Sequence, residues 1–587
     1  MRSASRHIIG GFRAVMWTLA SVVLTFPHLD RLRTALPGDP GDAFFNLTLL
    51  EWGANRLPHA FHGYWQGYFF VGGHDVMAYS ETHLGIVPIY WLLKAITGSP
   101  VVAMNLLFIA GWALSGEFTY RLARHLGAAP TGAVLGAFAY TYSTIRLGQY
   151  GHFQLGTAAF IPLVILLLLR LCEAPRLRTA IAFGIVFPMM MLSSSYYGVM
   201  MAIICTVIVL GMLWHDRHSL TQWKPRLGYL AVAGGIALII AGPAAFHYLR
   251  LGRDPNFQRG YDSQFAMRWP DLRLPADGNR WIGQLGVLSS NDARSSENLT
   301  FPGIAVLALA PVGAYATARR RTAEQLRLTA TQRRSLILVG GAGALVTCIA
   351  FGRNLAIGGG SLSLYELSTH IVPGMKTMRA LVRLFVAGQL ALSIAAAIGA
   401  TWLLSKIRSS RRRSLAGAAL VAFVVFELST VVDTVRVPEP TAVNEALAAL
   451  PKGITLELPI ASADDGAAWA YSESPRLVLA HRDWQPRLNG YSGFWPPDYL
   501  PMSRLLNLLP SPDAIEELRF RQVRYLVIRT QPMLDREPAY QAVVDAAEVA
   551  TVSQTDADRI VEALKTAGMI ENEQRFPEAV LLTLAPG

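Results

Sequence analysis

Apolar runs of about 18 residues or more, each long enough to cross a hydrocarbon layer as a helix, recur from the N-terminus to about residue 433 and then stop. The first follows Arg2, Arg6 and Arg13 and continues to Phe26, where Phe26-Pro-His-Leu-Asp-Arg31 offers no small-residue cleavage site. This predicts an uncleaved first span with a cytoplasmic N-terminus. Further spans are expected near 100–120, 128–145 and 155–171, and as a pair joined through Ser193-Ser-Ser-Tyr-Tyr-Gly198. Others are expected near 227–249 and 301–318, with three more ending near Gly352, Lys406 and Val432. The pattern therefore predicts about eleven transmembrane helices.

Every second loop is short and basic, as at Arg121 and Arg124, Arg176 and Arg178, Arg319-Arg-Arg321, and Arg411-Arg-Arg413. The intervening loops 29–99, 250–300 and 353–381 are long and mixed, so by the positive-inside rule they and the C-terminal tail lie outside. Within the first, His83 to Thr97 is apolar but short and holds Pro88 and Lys94, which reads as an interfacial helix. Beyond residue 433 short strands are expected at Ile454–Leu458, Val523–Ile528 and Val580–Leu584, with helices at 440–450, 512–520 and 557–568. The fold class is a polytopic α-helical membrane protein, residues 1–433, with a soluble C-terminal α/β domain, residues 434–587.

Composition agrees: of 587 residues 52% are hydrophobic and only 16% charged, where soluble domains carry about a quarter. The net charge of +12 sits in the short loops, so it speaks for topology and against a nucleic-acid partner. Cys172, Cys205 and Cys348 lie in apolar segments, which excludes a disulfide framework or cysteine metal site. The sequence has no Walker A loop, dinucleotide fingerprint, HExxH or nucleophile elbow, and Gly358-Gly-Gly360 lacks a following lysine.

Candidate chemistry gathers on the external side. Leu36-Pro-Gly-Asp-Pro-Gly-Asp-Ala-Phe-Phe45 is a tight turn holding Asp39 and Asp42, followed by an apolar run that reads as a helix on the bilayer surface. A carboxylate there can act as general base, deprotonating an acceptor hydroxyl for attack on an activated sugar. Asp42 is the first choice; its plain alternative is a helix N-cap. Asp39 either replaces it as base or binds a divalent cation. Glu81 and His83 are read as substrate or metal contacts, or else as a capping carboxylate and an interfacial histidine. His152 lies at the membrane–water boundary with Arg146 and Gln154, where an ionisable group could meet a lipid phosphate. Glu297 starts the eighth span or serves as an active-site carboxylate. Arg379 and Arg383, spaced i, i+4, would share a helical face and grip a phosphate. Asn489-Gly-Tyr-Ser-Gly-Phe-Trp-Pro-Pro497 reads as a packed loop or a sugar platform.

With these residues in view, the chain resembles the GT-C superfamily of polyprenyl-phosphate-sugar-dependent glycosyltransferases, and more narrowly the YfhO-type bacterial membrane proteins. The resemblance rests on Pro37-Gly-Asp-Pro-Gly-Asp42, Tyr79-Ser-Glu-Thr-His-Leu84, Gly151-His-Phe-Gln154, Glu297 to Gly303, Leu364-Tyr365 through Val372-Pro-Gly374 to Arg379 and Arg383, and Asn489-Gly-Tyr-Ser-Gly-Phe494. It departs at Arg379-Ala-Leu-Val-Arg383, where a proline is expected. The resemblance implies inverting transfer from a polyprenyl-phosphate-linked sugar to a cell-envelope glycan or lipid. Asp42, or failing it Asp39, would be the base, in the bacterial inner membrane with a periplasmic C-terminal domain. A lipid-sugar flippase and a non-catalytic envelope accessory protein stay open as alternatives.

Overall fold

A computed structural model describes residues 2–26, 29–276, 278–285, 296–355, 363–534 and 551–586; Gly358-Gly-Gly360 lies outside them. The chain is mostly helical and forms two compact units. One comprises Met1–Leu29, Leu106–Gly252 and Gln258–Val432, the other Asp30–Asn105, Arg253–Phe257 and Asp433–Gly587.

Among the described residues, six helices are long and apolar enough to cross a membrane: Pro100–His125, Phe153–Glu173, Ser195–His215, Trp223–Leu251, Ala330–Ala350 and Leu381–Ser405. Shorter apolar helices include Gly10–Thr25, Leu177–Ser193 and Ile304–Ala318. The third expected span is cut short. Its helix, Pro130–Thr141, gives way at Ser143 to the four-residue helix Thr144–Leu147. Ser143 is extended and its hydroxyl donates to the Tyr140 carbonyl at 2.9 Å, competing with helical pairing.

The first unit is organised around the helix Phe385–Ser405, which small residues let its neighbours approach to backbone distance. A Cβ on Gly313 would sit 1.8 Å from the Ala395 carbonyl oxygen, and one on Gly399 2.2 Å from that of Leu309. Gly132 and Gly136 meet the same helix at the Ala397 and Ser393 carbonyls. Gly399→Leu should therefore destabilise the protein by about 3 kcal/mol, the upper part of the usual overpacking range. Gly340→Ala, with nothing within 4 Å of its Cβ, should change little. Thermal unfolding of both variants in detergent checks this; equal midpoints would contradict the close-packed seam.

In the second unit, β1 (Ala35–Pro37) pairs antiparallel with β2 (Thr434–Arg436), Leu36 opposite Val435. The C-terminal segment adds β3 (Thr455–Leu458), β4 (Tyr525–Arg529), β5 (Ile570–Arg575) and β6 (Ala579–Leu584), in sheet order β3-β4-β6-β5. In this sheet β3 and β4 pair parallel, while β4–β6 and β5–β6 pair antiparallel. One face of this sheet, with Tyr525, Val527 and Leu581, packs on Val443 and Leu447 of the helix Ala442–Ala448.

The helix Asp42–Arg56 departs from expectation. Rather than lying on a bilayer surface it is buried on every side from Ala43 to Ala54, packed against the helices Ala467–Leu479 and Val87–Thr97. Val87–Thr97, with Pro88 in its first turn, buries Val87 and Tyr90 and exposes Ile89, Trp91, Leu92 and Ile96. Glu51 anchors it, accepting from Tyr90 at 2.6 Å and Lys94 at 2.7 Å.

Candidate active site

From Ala35 to Ala54 every residue is buried except two, Asp39 and Asp42. The turn that carries them starts at Gly38, whose φ of 118° is open to glycine and costly for other residues. The Asp39 carboxylate then accepts the backbone N–H groups of Gly41 at 2.8 Å and Asp42 at 3.1 Å. It thereby satisfies donors that the start of the helix Asp42–Arg56 would leave open. Asp39 thus holds the start of the helix, of which Asp42 is the first residue. Gly41 is fixed by space: a Cβ there would meet the Ala470 Cβ at 2.8 Å.

That close approach brings in Tyr471 of the helix Ala467–Leu479, which the linear sequence did not single out. Burial and the nearby charges of Asp39 and Asp42 push its phenol up to about 12. It therefore stays protonated at neutral pH and able to donate a hydrogen bond. The Asn489–Pro497 loop packs in the same unit. Tyr491 lies edge to face with Phe45 at 5.2 Å and Trp469 at 5.1 Å, and Trp495 meets Trp469 at 5.3 Å. Asn489 fastens the loop by bonding the backbone of Glu457 at 2.7 and 2.9 Å.

Glu81 is half-buried in the same unit. His83 is wholly buried, with its Nε2 2.8 Å from the Asn46 Oδ1. Burial drives its imidazole down to about 3, so it is neutral at physiological pH. Among the described residues, no three His, Cys, Asp or Glu gather as ligands.

The remaining candidates lie in the first unit. Glu297 and Arg383 form a bidentate pair, Nε to Oε2 at 2.7 Å and Nη2 to Oε1 at 2.6 Å, with the His152 Nε2 4.0 Å away. Burial would raise the Glu297 carboxyl, but Arg383, aided by His152 and Arg379, holds it below its ordinary value, so it is ionised. Glu297 does not cap the helix Ile304–Ala318. That role belongs to Glu427, which accepts from Ile304 at 2.7 Å and Ala305 at 3.1 Å. Arg379 and Arg383 do not share a helical face, because regular helix begins only at Phe385, after a 3-10 turn at Leu381–Leu384. The Tyr196 hydroxyl accepts the N–H groups of Arg379 and Ala380, drawing that backbone out of a helix. Arg379 is exposed and stacks on Phe265 at 4.3 Å.

A family model described as "Domain of unknown function (DUF6311)" matches residues 88–428, more than half of the chain. The chain belongs to this family. No curated protein matches it. Among solved structures, the arabinofuranosyltransferase AftD from Mycobacteria superposes with a TM-score of 0.57 at 14% identity, covering 98% of this chain and 40% of that one. The chain thus spans about two fifths of the length of that relative. The oligosaccharyltransferase from Archaeoglobus fulgidus follows at TM-score 0.43 and 11% identity, covering 98% and 74%. ArnT from Cupriavidus metallidurans, bound to undecaprenyl phosphate, gives 0.36 and 13%, covering 97% of each chain. The fold is similar to that of the mycobacterial arabinofuranosyltransferase.

Proposed function

We propose that the protein is a membrane glycosyltransferase that moves a sugar, with inversion, from a polyprenyl-phosphate-linked donor to a cell-envelope glycan or lipid. In this reading about eleven helices span the bacterial inner membrane, the N-terminus is cytoplasmic, and the α/β segment 434–587 and the loops 29–99, 250–300 and 353–381 are periplasmic. The observation that carries it is the pair of half-buried carboxylates on an otherwise buried segment, with Asp39 holding the start of the helix that Asp42 begins. The fold shared with an arabinofuranosyltransferase supports glycosyl transfer as the chemistry.

Asp42 takes the proton of the acceptor hydroxyl as its oxygen attacks the anomeric carbon from the face opposite the phosphate. The bond from that carbon to the phosphate oxygen breaks, and the lipid phosphate departs with the electron pair. Asp39 fixes the turn, and Tyr471 donates a hydrogen bond beside the two carboxylates. In the first unit, Arg379 presents an exposed positive charge suited to an anionic lipid, and Glu297 holds Arg383 in place next to His152. Glu81 contacts substrate hydroxyls, and buried His83 positions the turn through Asn46.

The test is sugar transfer by the purified full chain, offered a panel of radiolabelled polyprenyl-phosphate sugars with envelope lipid extract. Transfer with inverted anomeric configuration is expected. A tightly bound lipid donor with no transfer from any member of the panel would overturn the enzyme reading in favour of a transporter or accessory protein.

A further inference from the structure

The short helix Thr144–Leu147 carries a cation that the chemistry above leaves unused. Arg146 is 5% exposed, and among the described residues no carboxylate lies within ion-pairing distance of it. Its Nη1 donates to the Ser115 hydroxyl at 2.6 Å and the Thr141 carbonyl at 3.0 Å. Its plane stacks over Trp112 at 4.4 Å and Tyr140 at 5.3 Å. Its Nε and Nη2 are buried without an acceptor.

These orphan groups do not stand alone. Arg146 lines a narrow cleft with Phe108, Trp112, Gln149, Tyr150 and Phe153. Gln149 is 4% exposed and both atoms of its carboxamide lack partners, as does the Trp112 indole N–H. Buried polar groups are almost always paired, and an isolated buried guanidinium is among the costliest groups to leave uncompensated. Here N–H donors from three side chains, one of them cationic, line one cleft with too few acceptors to meet them. An acceptor-rich anion would meet these donors together.

We propose that this cleft is an anion subsite for a phosphate group, held by the open edge of the Arg146 guanidinium, the Gln149 amide and the Trp112 N–H. A tetrahedral phosphate offers several acceptor oxygens, and charge-assisted bonds from arginine to phosphate are the strong ones. The apolar lining of Phe108 and Phe153 suits a phosphate carried on a lipid. This part of the inference rests on the lipid-linked donor reading; the anion site itself does not.

Binding of radiolabelled undecaprenyl phosphate, and separately of inorganic phosphate, is measured on the full chain in detergent. The variants are Arg146→Gln, Gln149→Glu and Asp42→Asn. Gln149→Glu is the informative one, because it supplies a carboxylate inside the cleft and should neutralise Arg146 without an outside ligand. It is expected to weaken phosphate binding at least tenfold while unfolding at or above the wild-type temperature. Arg146→Gln should weaken binding similarly, and Asp42→Asn should bind as the wild type does, so failure of the catalytic reading leaves this result unaffected. Binding of the lipid but not of inorganic phosphate assigns the site to a lipid headgroup, and binding of both assigns it to phosphate generally. No binding of either by the wild type, or undiminished binding by both cleft variants, would overturn the proposal.

Discussion

Glu457→Ala is expected to destabilise the C-terminal α/β segment by about 3–5 kcal/mol, the usual consequence of removing one partner from a buried ionic cluster. Glu457 accepts the Arg529 Nε at 2.6 Å and also pairs with Arg487, while Arg476 lies 3.9 Å away. Arg487 reaches Asp483 at 2.9 Å, and Arg476 reaches Glu473 at 2.8 Å. All six side chains are at most 6% exposed. Truncating Glu457 strands the buried guanidiniums it neutralises.

The same cluster sets a dependence on pH. Burial opposes ionisation of Glu457, but Arg529, Arg487 and Arg476 outweigh it and hold its carboxyl near 2, against an ordinary 4.5. A depressed carboxyl stabilises the folded state fully above its unfolded value and loses that contribution as pH falls toward the folded one. The loss therefore belongs between about pH 4.5 and 2. Glu473, raised by burial, works in the opposite sense, so a Glu457→Gln variant compared with wild type isolates the first effect. Unfolding temperature against pH should show the wild-type advantage shrinking over that window. An advantage constant across it would contradict the assignment.

Asp42→Asn is expected to lower sugar transfer by about 10²–10⁴-fold, the usual contribution of a positioned general base, with donor binding unchanged. Asp39→Asn separates the two carboxylates. Asparagine caps a helix about as well as aspartate does, so a residue whose work is to hold the Gly41 and Asp42 N–H groups should tolerate it. Asp39→Ala, which removes the cap, should cost about 1 kcal/mol of stability. Loss of transfer in Asp39→Asn alone would exchange the two roles.

What could be read from the sequence divides along physical lines. The apolar runs located the six long apolar helices and strands β3, β4 and β6, because a buried segment demands sustained hydrophobicity. β5, Ile-Glu-Asn-Glu-Gln-Arg, escaped because an edge strand with solvent on it has no such pattern. The Pro/Gly turn at 37–42 was legible for its backbone chemistry, but not which carboxylate would cap, since both stand at plausible spacing. Arg379 and Arg383 misled because i, i+4 spacing means a shared face only where the backbone is helical, and Tyr196 prevents that. Tyr471, and the Glu427 carboxylate that caps a helix 123 residues earlier, depend on long-range contacts that leave no local signature.

The central claim, that this chain transfers a lipid-linked sugar with Asp42 as base, is tested most directly by a single-turnover experiment. Donor is bound to wild type and to Asp42→Asn at equal occupancy, acceptor is added, and the rate of sugar transfer is followed. The account predicts rapid transfer by the wild type and a rate at least a hundredfold lower in the variant. Equal rates in the two proteins would contradict it.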